Sequence, residues 1–195
     1  MPLYLAATPD RLAQARAVTP RLAHVAYRLG SGSELLAAPL PPALRGGAGA
    51  AADFDPPARP DRAALLQALL PLLASCGRAL YVPEHYAACH GASVLLCTAL
   101  SGGTLEGRLN QAASRYGAEH LALDLQRLAM DFPVPCPSGQ GTALTREGRT
   151  HFILFDDAQT LRRKLALARS QGIRDALVML PEVEDILVPL FAGEA

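Results

Sequence analysis

The sequence predicts an α/β protein: a small or incomplete TIM-like (β/α) barrel of about seven mainly parallel strands, with an open doubly wound sheet as the competing arrangement. Three observations lead there. A helix, a glycine and a short apolar strand follow one another three times along the chain. The strands are nearly continuous in apolar residues rather than alternating, which suits parallel strands covered on both faces. The chain has 195 residues, 50% of them hydrophobic. That fills one core, yet it falls short of the about 250 residues of a full eight-fold barrel. The whole of 1–195 therefore reads as a single α/β domain.

The repeated phrase is explicit in the residues. Leu65 to Cys76 leads through Gly77 to Ala79-Leu80-Tyr81-Val82. Leu105 to Tyr116 leads through Gly117 to Leu121-Ala122-Leu123, and Ala158 to Gln171 leads through Gly172 to the strand Ala176 to Leu180. A glycine just past a helix takes the left-handed conformation at little steric cost, so it stops the helix and turns the chain. Leu105, Leu109, Ala112 and Tyr116 form one helical stripe, with Glu106, Arg108 and Gln111 facing away. Leu161, Leu165 and Ala168 do the same in the last helix, and Asp157 is placed to cap it. The remaining strands are Leu3 to Ala6, Leu22 to Arg28, Ser93 to Ala99 and His151 to Phe155.

Two segments interrupt the rhythm. Residues 45–60 are rich in Gly, Ala and Pro and include Asp53-Phe54-Asp55-Pro56-Pro57, which predicts a flexible loop. Asp131 to Gly148 holds Pro133, Pro135, Pro137, Gly139 and Gly141, which excludes a regular helix and predicts a long irregular connection. Such a segment after a strand either carries a site or stands in for a lost βα unit.

Charge and composition exclude several function classes. Eighteen Lys and Arg balance 18 Asp and Glu, so neither nucleic acid nor a membrane surface is an expected partner. Four cysteines without paired spacing, no apolar run of 18 residues and no signal-peptide pattern at Met1 to Leu5 point to a cytoplasmic protein with reduced thiols. Ala6-Ala7-Thr8-Pro9 after the first strand is no glycine-rich phosphate turn, and no P-loop pattern occurs. No cofactor is implied. Glu84, His85, Cys89, His90 and Cys97 gather soft ligands without zinc spacing, so no metal is predicted. Cys136, between Pro135 and Pro137, lacks any motif that would make it a nucleophile. A shortened barrel would expose strand edges, which makes a homodimer a candidate assembly.

Candidate chemistry lies at the C-terminal ends of the strands, where loops of such folds converge. The strands run out into Glu84, Asp124-Leu125-Gln126-Arg127, Asp156-Asp157 and Glu182. Asp124, Asp156 and Glu84 are the catalytic candidates, since paired carboxylates do general acid–base work. Gln126 and Arg127 are candidate ligand-binding residues. So is Ser101-Gly102-Gly103, whose backbone N–H groups precede a helix and could hold an anion. The competing reading is structural: carboxylates favour helix N-termini, Asp157 is a cap, and Glu84 and Glu182 each follow a proline where a helix begins.

The stretch Thr150-His151-Phe152-Ile153-Leu154-Phe155-Asp156-Asp157, its helix through Lys164-Leu165, and Gly172-Ile173 resemble the last βα units of chitinase-like barrels, glycoside hydrolase family 18, especially their bacterial peptidoglycan-related branch. The resemblance covers roughly a quarter of the chain and implies a (β/α) barrel. That family's catalytic signature ends in D-x-E, and the nearest match is Asp124-Leu125-Gln126. Asp124 matches the assisting aspartate, whereas Gln126 stands at the proton donor and Ala122 where a further aspartate belongs. An amide cannot protonate a leaving oxygen. The resemblance thus implies a binder of a carbohydrate or other polar small molecule with little or no hydrolysis. An active hydrolase using the strand-end acids and a non-catalytic structural or regulatory domain are the alternatives.

Overall fold

The computed structural model describes residues 2–18, 25–31, 34–35, 49–99, 103–127, 129–134, 142–146 and 149–191. Seven parallel strands close into a barrel: β1 (Leu3–Ala7), β2 (Val25–Arg28), β5 (Gly49–Ala51), β6 (Ala79–Pro83), β7 (Ser93–Cys97), β8 (Leu121–Asp124) and β12 (Asp175–Met179). They run around the barrel as β1-β2-β5-β6-β7-β8-β12, and β12 closes the circle on β1 with Leu3 opposite Ala176. Closure excludes the open sheet and leaves these seven strands without free edges.

The three helix-ending glycines behave as the sequence requires. Gly77, Gly117 and Gly172 have φ of 65°, 83° and 82° and terminate α2 (Pro60–Ser75), α3 (Leu105–Tyr116) and α4 (Ala158–Ser170). Helix α2 begins five residues earlier than the apolar run suggests, because Pro60 suits the first turn. Thr104 and Asp157 cap α3 and α4: Thr104 Oγ1 accepts from the Gly107 N–H at 3.1 Å, and Asp157 Oδ1 from the Thr160 N–H at 2.7 Å. Shorter helices α1 (Leu12–Val18), α5 (Leu180–Val183) and α6 (Leu187–Phe191) complete the outer layer. None of the helices among the described residues is long and apolar enough to cross a membrane.

Two segments differ from the sequence reading. Within the predicted loop 45–60, Gly49–Ala51 is a barrel strand, buried and paired with both β2 and β6; residues 45–48 lie outside the described residues. Its small side chains deprive it of any apolar signal, yet they let it pass close to β6. The second difference concerns the strand read as His151 to Phe155. It forms as β11 (Arg149–Phe155) but pairs antiparallel with β9 (Ala129–Val134) and β10 (Thr142–Arg146). Half of the expected irregular segment, residues 131–134 and 142–146, therefore lies in these two strands, and its other residues are outside the described ones. Both edges of β11 are therefore taken, and β8 pairs directly with β12 (Ala122 opposite Asp175), so β11 has no place in the barrel. A further two-stranded piece, β3 (Gly30–Ser31) with β4 (Glu34–Leu35), sits beyond β2.

Alternation divides each barrel strand between two environments. Outward residues such as Leu5, Leu96, Leu123 and Val178 pack under the helices, with Leu109 and Leu161 inserted from α3 and α4. Inward residues form a separate cluster: Ala6, Ala26, Ala51 and Ala122 with Tyr81, Leu95, Leu177 and Met179. A seven-stranded barrel is narrow, and four inward alanines let a few large side chains fill it. At the N-terminal end the inner space is closed by Asp175, which accepts from Tyr81 Oη at 3.2 Å and Tyr4 Oη at 3.5 Å. Burial first, then the Asp175 charge, holds the Tyr81 hydroxyl protonated far above its ordinary range. Tyr81→Phe removes one of these donors from a carboxylate and is expected to cost about 1–3 kcal/mol in urea unfolding. An unchanged midpoint would mean that the phenol contributes nothing to the seal.

Candidate active site at the barrel mouth

The strands end in a polar mouth built on the same alternation. Asp124 is the last residue of β8, two beyond inward Ala122, and stands between Cys97 of β7 and Leu177 of β12. It is 9% exposed. Its Oδ2 accepts from Gln126 Nε2 at 2.9 Å, and Gln126 Oε1 in turn accepts from Cys97 Sγ at 3.1 Å. Thr98 Oγ1 takes the Gln126 backbone N–H at 3.0 Å, which fixes the turn that carries the amide. Asp124 Oδ1 is buried and has no hydrogen-bond partner. Burial pushes the Asp124 carboxyl up to about 7, with the charges of Asp53 and Glu182 adding to the rise while the Gln126 hydrogen bond and Arg28 oppose it.

Arg28 ends β2 and reaches the same space from the other side, paired through Nη2 with Asp53 Oδ2. Glu182, in α5 after β12, accepts from the Arg127 backbone N–H at 3.2 Å. Burial raises the Glu182 carboxyl, Asp53 adds to this, and Arg127 and Arg28 counter it. The Cys97 thiol is likewise raised by burial, so it is a donor here and not a thiolate.

The sequence-named residues divide clearly. Asp124 and Gln126 share the mouth and touch. Glu84 follows β6 and is held by Arg108 of α3. Asp156 is buried, but β11 is not a barrel strand, and its Oδ2 accepts from Lys164 Nζ at 2.6 Å. The expectation that the strand before Asp156 is a parallel strand of the barrel is therefore corrected: β11 pairs antiparallel with β9 and β10 in a separate sheet. Arg127 acts as a tie between loops. Its Nε donates to the Asp156 carbonyl at 3.1 Å and its Nη1 to Asp185 Oδ1 at 2.6 Å. Ser101 and Gly102 lie outside the described residues; Gly103 takes φ of 75° just before the Thr104 cap. Cys136 also lies outside them.

No family model, curated protein or solved structure matches the chain.

Sequence reasoning missed Arg28 and Asp53, and it left Glu182 as a cap. Arg28 was legible, because it ends a strand that the sequence predicts. Asp53 was hidden within the presumed loop. Among the described residues no group of three His, Cys, Asp or Glu side chains is arranged to hold a metal ion.

Proposed function

We propose that this chain binds a neutral polar small molecule of the carbohydrate or polyol kind at the C-terminal mouth of its barrel, with little or no hydrolysis. The observation that carries the reading is Asp124 Oδ1, a carboxylate oxygen that is buried at the mouth with no partner. Leaving such an atom unsatisfied costs about 1–3 kcal/mol or more, so an unspent acceptor marks a place where a ligand's hydroxyl would be favoured. The mouth of a parallel barrel is also where loops converge on small molecules. Three features speak for binding over hydrolysis. Gln126 carries no proton to give, and its NH₂ is already committed to Asp124. Glu84 and Asp156 are each held by a basic side chain.

The test is thermal unfolding of the full chain across neutral monosaccharides, chitin oligomers and peptidoglycan fragments, with long incubations analysed for released product. A ligand-dependent rise in melting temperature that vanishes in Asp124→Ala, without product, is the expected result. Absence of any shift would defeat the reading and favour a purely structural domain.

One observation favours a hydrolytic alternative. Asp124 titrates near 7, and Glu182, also raised, contributes to that rise. A carboxyl that keeps its proton near neutral pH can serve as the general acid of a hydrolase. Product that appears with the native chain and not with Asp124→Ala would replace binding by hydrolysis.

A further inference from the structure

We infer that Arg28 and Asp124 form a two-point clamp across the barrel axis, selecting a neutral hydroxyl-bearing ligand over its acidic and amino counterparts. This rests on the mouth being the binding site, and it adds a second anchor and a rule of selection.

Topology sets the two residues opposite one another. Strands β2 and β8 are separated by β1 and β12 in one direction and by β5, β6 and β7 in the other. Ala26 and Ala122, two residues before Arg28 and Asp124, both belong to the inner cluster. Side chains two apart on a strand share a face, so both residues project into the barrel from opposing walls. The Arg28 charge is among those acting on Asp124, as this arrangement requires.

Each of the two residues then has one buried polar atom without a partner, a donor on Arg28 and an acceptor on Asp124. Arg28 spends Nη2 on Asp53, and its Nε–H is buried with no partner. Asp124 spends Oδ2 on Gln126, and its Oδ1 is buried with no partner. Asp53 fixes the guanidinium and Gln126 fixes the carboxyl, so neither free atom is at liberty to turn away. A hydroxyl is complementary to both: its oxygen accepts from Arg28 Nε and its proton goes to Asp124 Oδ1. An ammonium group has no acceptor for Arg28 and meets a like charge. A carboxylate has no proton for Asp124 and meets Asp53 and Glu182.

Titration calorimetry at about pH 8, where Asp124 is ionised, provides the test. The probes are neutral pentoses and hexoses with their matching aldonates and amino sugars of the 1-amino-1-deoxyalditol kind, whose amines remain protonated at this pH. On the native chain the best neutral sugar is expected to bind at least about tenfold more tightly than its charged counterparts. Arg28→Lys keeps a cation opposite Asp53 but removes the Nε–H, and is expected to weaken that sugar about tenfold. Equal or tighter binding of the amino sugar would overturn the clamp on the native protein alone, whether or not the variant folds. Sugar binding that requires Asp124 but is unchanged in Arg28→Lys would overturn the clamp and leave the binding mouth standing. No binding of any probe would remove both.

Discussion

Asp124→Asn is expected to make the protein more stable above neutral pH while abolishing its ligand binding. In the unfolded chain this carboxyl ionises near its ordinary value of 3.8, and in the folded protein near 7. The native state therefore holds the proton more tightly. The contribution to stability is complete below about pH 3.8, declines as pH rises and is lost above about pH 7. That gap corresponds to on the order of 4 kcal/mol. The asparagine variant carries no charge to bury, so it lacks the decline. Its advantage over the native chain opens between about pH 4 and pH 7 and is constant beyond. Urea unfolding at several pH values measures this directly, and parallel curves for the two proteins would refute the burial of an ionisable group at the mouth. Binding moves the other way. Gln126 Nε2 needs an acceptor, so the new amide turns its oxygen to Gln126 and its NH₂ into the barrel, where an acceptor is required. A residue whose replacement raises stability and removes binding is one retained for function.

Gly49→Ala is expected to be the most damaging single methyl group in the barrel. A Cβ at this position would stand 2.1 Å from the Ala79 carbonyl oxygen and 2.9 Å from its carbon. Both are backbone atoms of the paired strand, Gly49 lying opposite Ala79 in the β5–β6 register. No rotamer change relieves the overlap; the two strands must part. Ordinary overpacking costs about 1–3 kcal/mol, and a clash with paired backbone exceeds it, so about 4 kcal/mol or failure to fold is expected. Gly77→Ala is the control. It has φ of 65° and nothing within 4 Å of the added carbon, so only the left-handed backbone is penalised, at about 1 kcal/mol. Melting temperatures of the two variants give the comparison. A Gly49→Ala protein as stable as Gly77→Ala would mean that β5 does not lie against β6.

The two positions also mark where local reading of the chain succeeds and where it ends. Gly77 closes a periodic helix and precedes an apolar strand, so its role is visible within a dozen residues. Gly49 belongs to a strand of Gly and Ala with nothing apolar enough to register, and its meaning depends on Ala79, thirty residues away. The same difference separates the members of the mouth. Asp124 and Gln126 are two apart on one strand and its exit, so their proximity follows from the chain itself. Arg28 and Asp53 join them only because β2 and β5 lie in the same closed ring. Asp156 follows a strand that local pattern assigns to the barrel, and only the pairing of β11 with β9 and β10 on both edges shows that this strand belongs to another sheet.

Sequence by itself determined the helix–glycine–strand units, the capping of α4, and the burial of the strands on both faces, because these depend on periodicity and on groups a few residues apart. Tertiary structure alone decided that seven strands close without β11, and which charges meet inside the ring. Strand pairing and the fate of a buried carboxylate depend on partners remote in the chain, and no local pattern encodes their distance.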